Sequence, residues 1–189
     1  MRIVGGRFRG RAIASPEHEG VRPTSDRVRE SVFNILLHGI DDFSIEGLRV
    51  IDLFAGTGAL GLEAVSRGAA YCLFVEDGAE SRGLIRQNVE AFGLTGNTRL
   101  FRRDATDLGP ASPMQPFGLA FLDPPYGKGL GERAVQSLRD GKWLTPGAIV
   151  IWEERASSEL PWPEGFTELD RRTWGDTQVA FARFARFAS

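Results

Sequence analysis

The 189-residue sequence contains one cysteine and two histidines, and it has no long apolar run. The single thiol, Cys72, has no partner for an internal disulfide, and its place in the apolar segment AAYCLFV predicts a buried structural residue. The apolar stretches fall far short of the ~20 residues that a membrane helix needs, so no span is predicted. No apolar segment follows the basic N-terminus, which argues against a signal peptide and predicts a cytoplasmic protein.

Net charge is also small, at -2 with a sequence pI of about 5.8, which argues against nucleic-acid binding by bulk charge. Basic residues nevertheless cluster at the start, where residues 1–29 contain seven arginines and three acids. Arginine has a planar fork that pairs with phosphates and stacks on bases. We therefore predict a basic N-terminal extension over residues 1–23 that contacts nucleic acid, and a single domain over residues 24–189.

The order of secondary-structure signals predicts an α/β fold. The opening RIVGGRFRGRAIA predicts a short two-stranded ribbon, and Pro23, Thr24 and Ser25 mark the start of a helix that continues to about residue 38. From residue 48, short apolar strands alternate with amphipathic helices, which is typical of a parallel, doubly wound sheet. Two alternating segments joined at residues 174–176 predict a closing antiparallel hairpin. Ligands bind such sheets at the carboxyl ends of the strands.

A glycine-rich turn, DLFAGTGALG, lies between the first strand of this pattern and the next helix. Gly56, Gly58 and Gly61 match the dinucleotide fingerprint G-x-G-x-x-G, and Glu76 ends the following strand, where a ribose-binding acid is expected. A nicotinamide-dependent oxidoreductase is therefore one interpretation of this turn.

Acidic residues at three successive strand ends favour a different ligand. Asp52 lies just before the turn, where an acid would repel a pyrophosphate but would suit the ammonium and sulfonium charges of S-adenosylmethionine. Glu76 suits a ribose diol, and Asp104 is placed to accept a hydrogen bond from an adenine amino group. One such acid alone would be interpreted as a solvated strand end or a helix cap. All three with the glycine turn predict an S-adenosylmethionine site.

The strand FGLAFLD runs directly into Asp123, Pro124, Pro125 and Tyr126. Because proline fixes its own φ and restricts the residue before it, this loop is rigid. The Asp123 carboxylate and the Pro124 carbonyl can each accept one hydrogen of an exocyclic amino group, which directs the nitrogen lone pair at a methyl donor and stabilises the developing positive charge. Tyr126 can stack on a flipped base. The loop predicts amino-group methylation of a base.

These motifs resemble the bacterial RsmD-type methyltransferases, which modify N2 of a guanine in 16S rRNA. The resemblance covers nearly the whole chain, through IVGGRFRGR, RPTSDRVRESVFNIL, DLFAGTGALGLEA, FVE, RDA, FLDPPY and QVAF. The glycine turn and DPPY occur in many amino-methyltransferases, whereas the two N-terminal motifs are specific to this group. Family members often have phenylalanine at the position of Tyr126, which stacks equally well.

The resemblance implies a Rossmann-like class I methyltransferase, with a mostly parallel seven-stranded sheet, a C-terminal antiparallel hairpin and a small N-terminal β-ribbon. It implies S-adenosylmethionine as cofactor and 16S rRNA, in a small ribosomal subunit or assembly intermediate, as partner. The proposed chemistry of the loop needs no metal, and a monomer is the default expectation. The cofactor residues would be Asp52, Phe54, Gly56, Gly58, Glu76, Asp77, Asp104 and Ala105. The catalytic loop would be Asp123, Pro124, Pro125 and Tyr126, and the RNA-facing residues would be Arg7, Arg9, Arg11, Arg22 and Arg27.

Three alternatives stay open at this point. A DNA adenine-N6 methyltransferase would use the same loop, although 189 residues leave little room for the separate target-recognition region that such enzymes usually carry. A non-catalytic ribosome-assembly factor would not need the Asp-Pro-Pro-Tyr loop. In a nicotinamide-dependent oxidoreductase, residues Asp123 to Tyr126 would have no function.

Overall fold

The computed structural model describes residues 1–16 and 25–185. Within these residues, seven strands form one sheet: β1 (Arg49–Leu53), β2 (Tyr71–Val75), β3 (Thr98–Phe101), β4 (Phe117–Leu122), β5 (Leu144–Arg155), β6 (Phe166–Trp174) and β7 (Thr177–Phe184). Their spatial order is β3-β2-β1-β4-β5-β7-β6. Neighbours from β3 through β5 are parallel, whereas β7 is antiparallel to both β5 and β6. The predicted mostly parallel sheet with a C-terminal hairpin is confirmed.

In the described part of the chain, four α-helices cover the sheet: α1 (Asp26–His38), α2 (Ala59–Ser66), α3 (Ala79–Ala91) and α4 (Leu130–Asp140). The Ser25 hydroxyl caps α1 by accepting a hydrogen bond from the Val28 amide at 3.2 Å, as expected for an N-cap serine. Pro23 and Thr24, also predicted at this helix start, lie outside the described residues. No helix within residues 1–16 and 25–185 is both long and apolar enough to cross a membrane.

Alternate side chains of the central strands pack on opposite faces of the sheet. On β1, Val50 joins a buried cluster with α1, α2 and α3, whereas Ile51 and Leu53 join a second cluster with α4. This is the period-2 pattern of a strand, and both faces are covered. Because every central strand is buried on both sides, its only accessible part is its end.

The N-terminal extension packs closely against the rest of the molecule. A single antiparallel bridge joins Arg2 to Ala12, and the Ile3 amide donates to the Arg11 carbonyl at 2.9 Å. The predicted ribbon is therefore reduced to one bridge with a turn between, and Ile3 and Ile13 are buried in the core. The boundary predicted between residues 23 and 24 lies outside the described residues.

A buried carboxylate on α2 holds this extension in place. The Glu63 Oε1 atom accepts hydrogen bonds from the Val4 amide at 3.0 Å and from Arg29 Nε at 3.1 Å. Its Oε2 atom accepts from the Gly5 amide and from Arg67 Nε, both at 2.9 Å. The Glu63 and Arg29 side chains are fully buried, so this ion pair is shielded from solvent. Neither Glu63 nor Arg29 was predicted from the sequence to have this role.

Asn88 on α3 connects the same extension to the glycine turn. Its side-chain oxygen accepts from the Ala14 amide at 2.7 Å, and its amide nitrogen donates to the Ala14 carbonyl at 3.1 Å and to the Thr57 carbonyl at 3.0 Å. Since Asn88 is buried, these bonds fix the Ala14 segment against the Thr57 turn.

Candidate active site

A cavity of about 520 Å³ opens at the carboxyl ends of β1, β2, β4 and β5. The strand order places β1 directly beside both β2 and β4, so chain segments far apart in sequence meet at this edge. Its lining combines residues predicted for the cofactor with the predicted catalytic loop: Asp52, Phe54, Gly56, Glu76, Asp77, Asp123, Pro124, Pro125 and Tyr126. It also includes residues that the sequence analysis did not name: Met1, Ala55, Thr57, Ala59, Leu60, Ser81 and Arg155.

The glycine turn has two residues in the left-handed backbone conformation that favours glycine. Gly56 and Gly58 have φ values of 60° and 82°, and Phe54 between the strand and the turn has a φ of 54°. A left-handed conformation at a phenylalanine is uncommon and occurs most often at functional sites. Gly61 serves packing instead, because a Cβ there would lie 2.5 Å from the Phe74 ring and 2.6 Å from the Cys72 sulfur. Cys72 is buried, as predicted.

Asp52 lies below this turn with a side chain almost completely shielded from solvent. Its Oδ2 atom accepts a hydrogen bond from the Gly61 amide at 3.0 Å, near the start of α2. Burial raises the pKa of Asp52 well above its usual value, and the nearby Glu76 carboxylate raises it further, while the Gly61 hydrogen bond opposes both. A positively charged ligand in the cavity would therefore be stabilised by Asp52 and would favour its ionised form.

Glu76, at the end of β2, holds the glycine turn in place by a hydrogen bond to its backbone. Its Oε1 atom accepts from the Gly56 amide at 2.8 Å, and its Oε2 atom accepts from the Gly78 amide at 2.9 Å, just before α3. An ionised carboxylate offers about four acceptor positions, so two remain for ligand hydroxyl groups. Glu76 can thus hold the turn and bind a diol at the same time.

Not every predicted cofactor residue lines this cavity. Asp104 is exposed after β3, and its Oδ1 atom accepts from the Thr106 amide at 2.8 Å and from the Thr106 hydroxyl at 2.7 Å. These hydrogen bonds lower the pKa of Asp104, and Arg133 lowers it further. Ala105 and Gly58 are buried and do not line the cavity.

The Asp-Pro-Pro-Tyr loop is fixed to the neighbouring strands. Asp123 and Tyr126 are half-buried, Pro124 is buried and Pro125 is exposed. The Tyr126 hydroxyl lies 3.0 Å from the Thr177 hydroxyl on β7 and donates to Glu153 Oε1 on β5 at 3.4 Å. These contacts set the position of the ring, and the sequence analysis missed both because Glu153 and Thr177 are 27 and 51 residues away along the chain.

The predicted RNA-facing arginines are exposed wherever they are described. Arg7, Arg9, Arg11 and Arg27 are on the surface, whereas Arg22 lies outside the described residues. The Arg7 guanidinium lies 4.6 Å from the centre of the Phe8 ring, and that of Arg11 lies 4.5 Å from the centre of the Phe92 ring. Both distances are within the ~6 Å range of a cation–π interaction, so the rings help to hold these two guanidinium groups.

A family model described as Conserved hypothetical protein 95 matches residues 1–183. Ribosomal RNA small subunit methyltransferase D of Escherichia coli (strain K12) is 38% identical over 189 residues, which are all of this chain and 91% of that protein. The Haemophilus influenzae protein of the same name is 33% identical over 93% of this chain and 89% of its own length.

Solved structures agree with these matches. The structure of the Escherichia coli protein yhhF has a TM-score of 0.83 and 30% identity to this chain, and the match covers 98% of each. The predicted class I methyltransferase fold is thereby confirmed. The chain thus belongs to the family described as Conserved hypothetical protein 95, which is the RsmD-type methyltransferase family that its sequence motifs resemble.

Proposed function

We propose that this protein transfers a methyl group from S-adenosylmethionine to the N2 amino group of a guanine in 16S rRNA, at the position numbered 966. The observation that carries the proposal is that one cavity joins the acids at the ends of β1 and β2 to the Asp-Pro-Pro-Tyr loop after β4. A methyl donor and an amino group would meet there. The names of the Escherichia coli and Haemophilus influenzae relatives support RNA of the small ribosomal subunit as the substrate.

The residues of the cavity fit S-adenosylmethionine. The buried Asp52 carboxylate suits the ammonium and sulfonium charges, and Glu76 suits the ribose hydroxyls. Phe54, Gly56 and the exposed Asp77 also line this cavity and would contact the bound cofactor. Asp104 and Ala105 follow β3, the strand beside β2, and we place the adenine of the cofactor near them. When bound, the cofactor supplies the methyl group from its sulfonium, and no metal is required.

The Asp-Pro-Pro-Tyr loop would position the guanine amino group for methyl transfer. In the proposed complex the Asp123 carboxylate and the Pro124 carbonyl each accept one hydrogen of the guanine amino group, and the nitrogen lone pair then points at the methyl carbon. Both acceptors would also stabilise the positive charge that grows on nitrogen in the transition state. As the N–CH₃ bond forms and the S–CH₃ bond breaks, one amino proton is released to solvent, which leaves the neutral methylamino product. The Tyr126 ring, held by its hydroxyl at Thr177, stacks on the flipped base, a contact worth about 1–3 kcal/mol. Holding both reactants in line supplies most of the rate.

The exposed arginines Arg7, Arg9, Arg11 and Arg27, with Arg22, form the proposed RNA surface of a monomer that acts in the cytoplasm on a small subunit or an assembly intermediate. The segment that carries Arg7, Arg9 and Arg11 is held at the Val4 amide by Glu63 and at the Ala14 amide by Asn88, so these three charges are presented from a fixed segment. A fixed segment loses less conformational entropy when RNA binds than a loose one.

A labelled-transfer assay tests the proposal. The protein is incubated with methyl-labelled S-adenosylmethionine and one of three acceptors, which are small ribosomal subunits, naked 16S rRNA and duplex DNA. Label in rRNA, mapped to a guanine N2 atom, is expected. Label in DNA alone would identify a DNA amino-methyltransferase, and failure to bind S-adenosylhomocysteine in calorimetry would contradict the cofactor.

A further inference from the structure

Arg155 is the last residue of β5, and its side chain lines the cavity beside the Asp-Pro-Pro-Tyr loop. A Cβ built on Gly127, the residue after the loop, would lie 3.9 Å from the Arg155 Nη1 atom. Among the described residues that line the cavity, Arg155 has the only basic side chain, whereas Asp52, Glu76 and Asp123 are acidic. No salt bridge joins its guanidinium to a carboxylate within residues 1–16 and 25–185. Its charge is thus available in the cavity.

The backbone that carries this side chain is fixed at both its amide and its carbonyl. The Glu154 Oε1 atom accepts hydrogen bonds from the Arg155 amide at 3.0 Å and from the Gly127 amide at 3.3 Å. The Arg155 carbonyl accepts from Gln178 Nε2 at 2.8 Å. Glu154 and Gln178 are both buried, so these bonds are shielded from water. One carboxylate therefore sets the distance between the loop and the strand end that bears the arginine.

The same strand end adjoins the tyrosine that would receive the base. Arg155 pairs with Thr177 across β5 and β7, and the Thr177 hydroxyl lies 3.0 Å from the Tyr126 hydroxyl. Tyr126 and Arg155 line the same cavity, and an aromatic ring and a guanidinium can together recognise a single flipped nucleotide, by stacking on the base and by pairing with phosphate.

The strand order separates Arg155 from the cofactor residues. Those residues come from the ends of β1 and β2, whereas Arg155 ends β5, which lies on the opposite side of β4. Adjacent strands are spaced about 4.8 Å apart, so the loop after β4 stands between the two groups. The methyl donor therefore belongs on the β1 side of the loop and the acceptor nucleotide on the β5 side.

We propose that Arg155 is a substrate-positioning residue that pairs with a phosphate of the target nucleotide while Tyr126 stacks on its base. The proposal rests on the function proposed above. RNA is anionic and would be repelled by the acids that suit the cofactor, so a cation on the acceptor side offsets that repulsion where the nucleotide must enter. Arginine suits this task because its fork binds two phosphate oxygens at once.

The experiment compares Arg155→Ala, Arg155→Lys and the wild type with the RNA that the wild type methylates, at saturating S-adenosylmethionine. Losing one charge-assisted contact is expected to lower kcat/KM for RNA by about tenfold in the alanine variant and by no more than about threefold in the lysine variant. Affinity for S-adenosylhomocysteine, measured by calorimetry, is expected to stay within about twofold. The dependence of log Kd for RNA on log salt is expected to fall by about one in the alanine variant.

Arg172→Ala is the matched control, because Arg172 is an exposed arginine on β6 that pairs only with the adjacent Asp170 among the described residues. It is expected to transfer methyl groups at the wild-type rate. Loss of S-adenosylhomocysteine affinity in Arg155→Ala would place the arginine on the cofactor side and overturn the inference. Unchanged kcat/KM or an unchanged salt slope would also overturn it while leaving the proposed function intact. No transfer by the wild type would overturn both.

Discussion

Glu63→Gln is expected to destabilise the folded protein strongly, because the Glu63 carboxylate accepts four hydrogen bonds in a site closed to solvent. Glutamine keeps one acceptor oxygen but places an NH₂ group against two of the four donors. It also removes the charge that offsets the fully buried Arg29 guanidinium. Breaking a buried ion pair from one side costs about 3–5 kcal/mol.

The lower end of that range, about 3 kcal/mol, is expected here because Arg29 keeps a hydrogen bond to Asp26 at 3.0 Å and another to the Arg2 carbonyl. Domains of this kind are stable by about 5–15 kcal/mol, so the loss is a large fraction of the total. For a chain of this length it corresponds to a fall in Tm of about 6–12 °C.

Urea unfolding followed by circular dichroism measures the loss, and amide exchange of residues 1–14 shows whether the N-terminal extension detaches first. The control is Glu168→Gln, which breaks the 2.6 Å pair with Arg171, where both side chains are about one-third exposed. Solvent screens that pair, so its loss is expected to cost less than about 1 kcal/mol. Equal midpoints for the two variants, with unchanged exchange in residues 1–14, would refute the reasoning about Glu63.

Asp123→Ala is expected to abolish methyl transfer while S-adenosylhomocysteine still binds within a few-fold of wild type; equal loss of binding in calorimetry would remove the role given to Asp123. Affinity for S-adenosylmethionine is expected to rise with pH through the raised pKa of Asp52, because a cationic ligand favours the ionised carboxylate and binding releases its proton. Calorimetry in buffers of different ionisation enthalpy checks this, and the same proton release in Asp52→Asn would contradict it. Replacing Arg9 and Arg11 together by alanine is expected to weaken RNA binding and to reduce its salt slope by about one per lost phosphate contact. Filter binding at several salt concentrations tests this, and unchanged affinity would place the RNA surface elsewhere.

Much of the architecture was predictable because it depends on short windows of sequence. Strands β1, β2 and β4 are brief apolar runs, and the helices between them carry apolar residues at helical spacing, so both element types could be identified locally. The hairpin of β6 and β7 was recognisable from its alternation and its Gly175 turn. The glycine turn and the Asp-Pro-Pro-Tyr loop could be placed at strand ends for the same reason.

The sequence alone therefore determined the elements, the two motifs and the chemistry that those motifs favour, since backbone preference and side-chain period act over a few residues. Only the tertiary structure decided which distant residues meet. It placed β4 between β1 and β5, and it made Glu63 the anchor of Val4, 59 residues away. It also brought Arg155 to the cavity. These contacts depend on strand order and on the packing of buried polar groups, which no local window of sequence encodes.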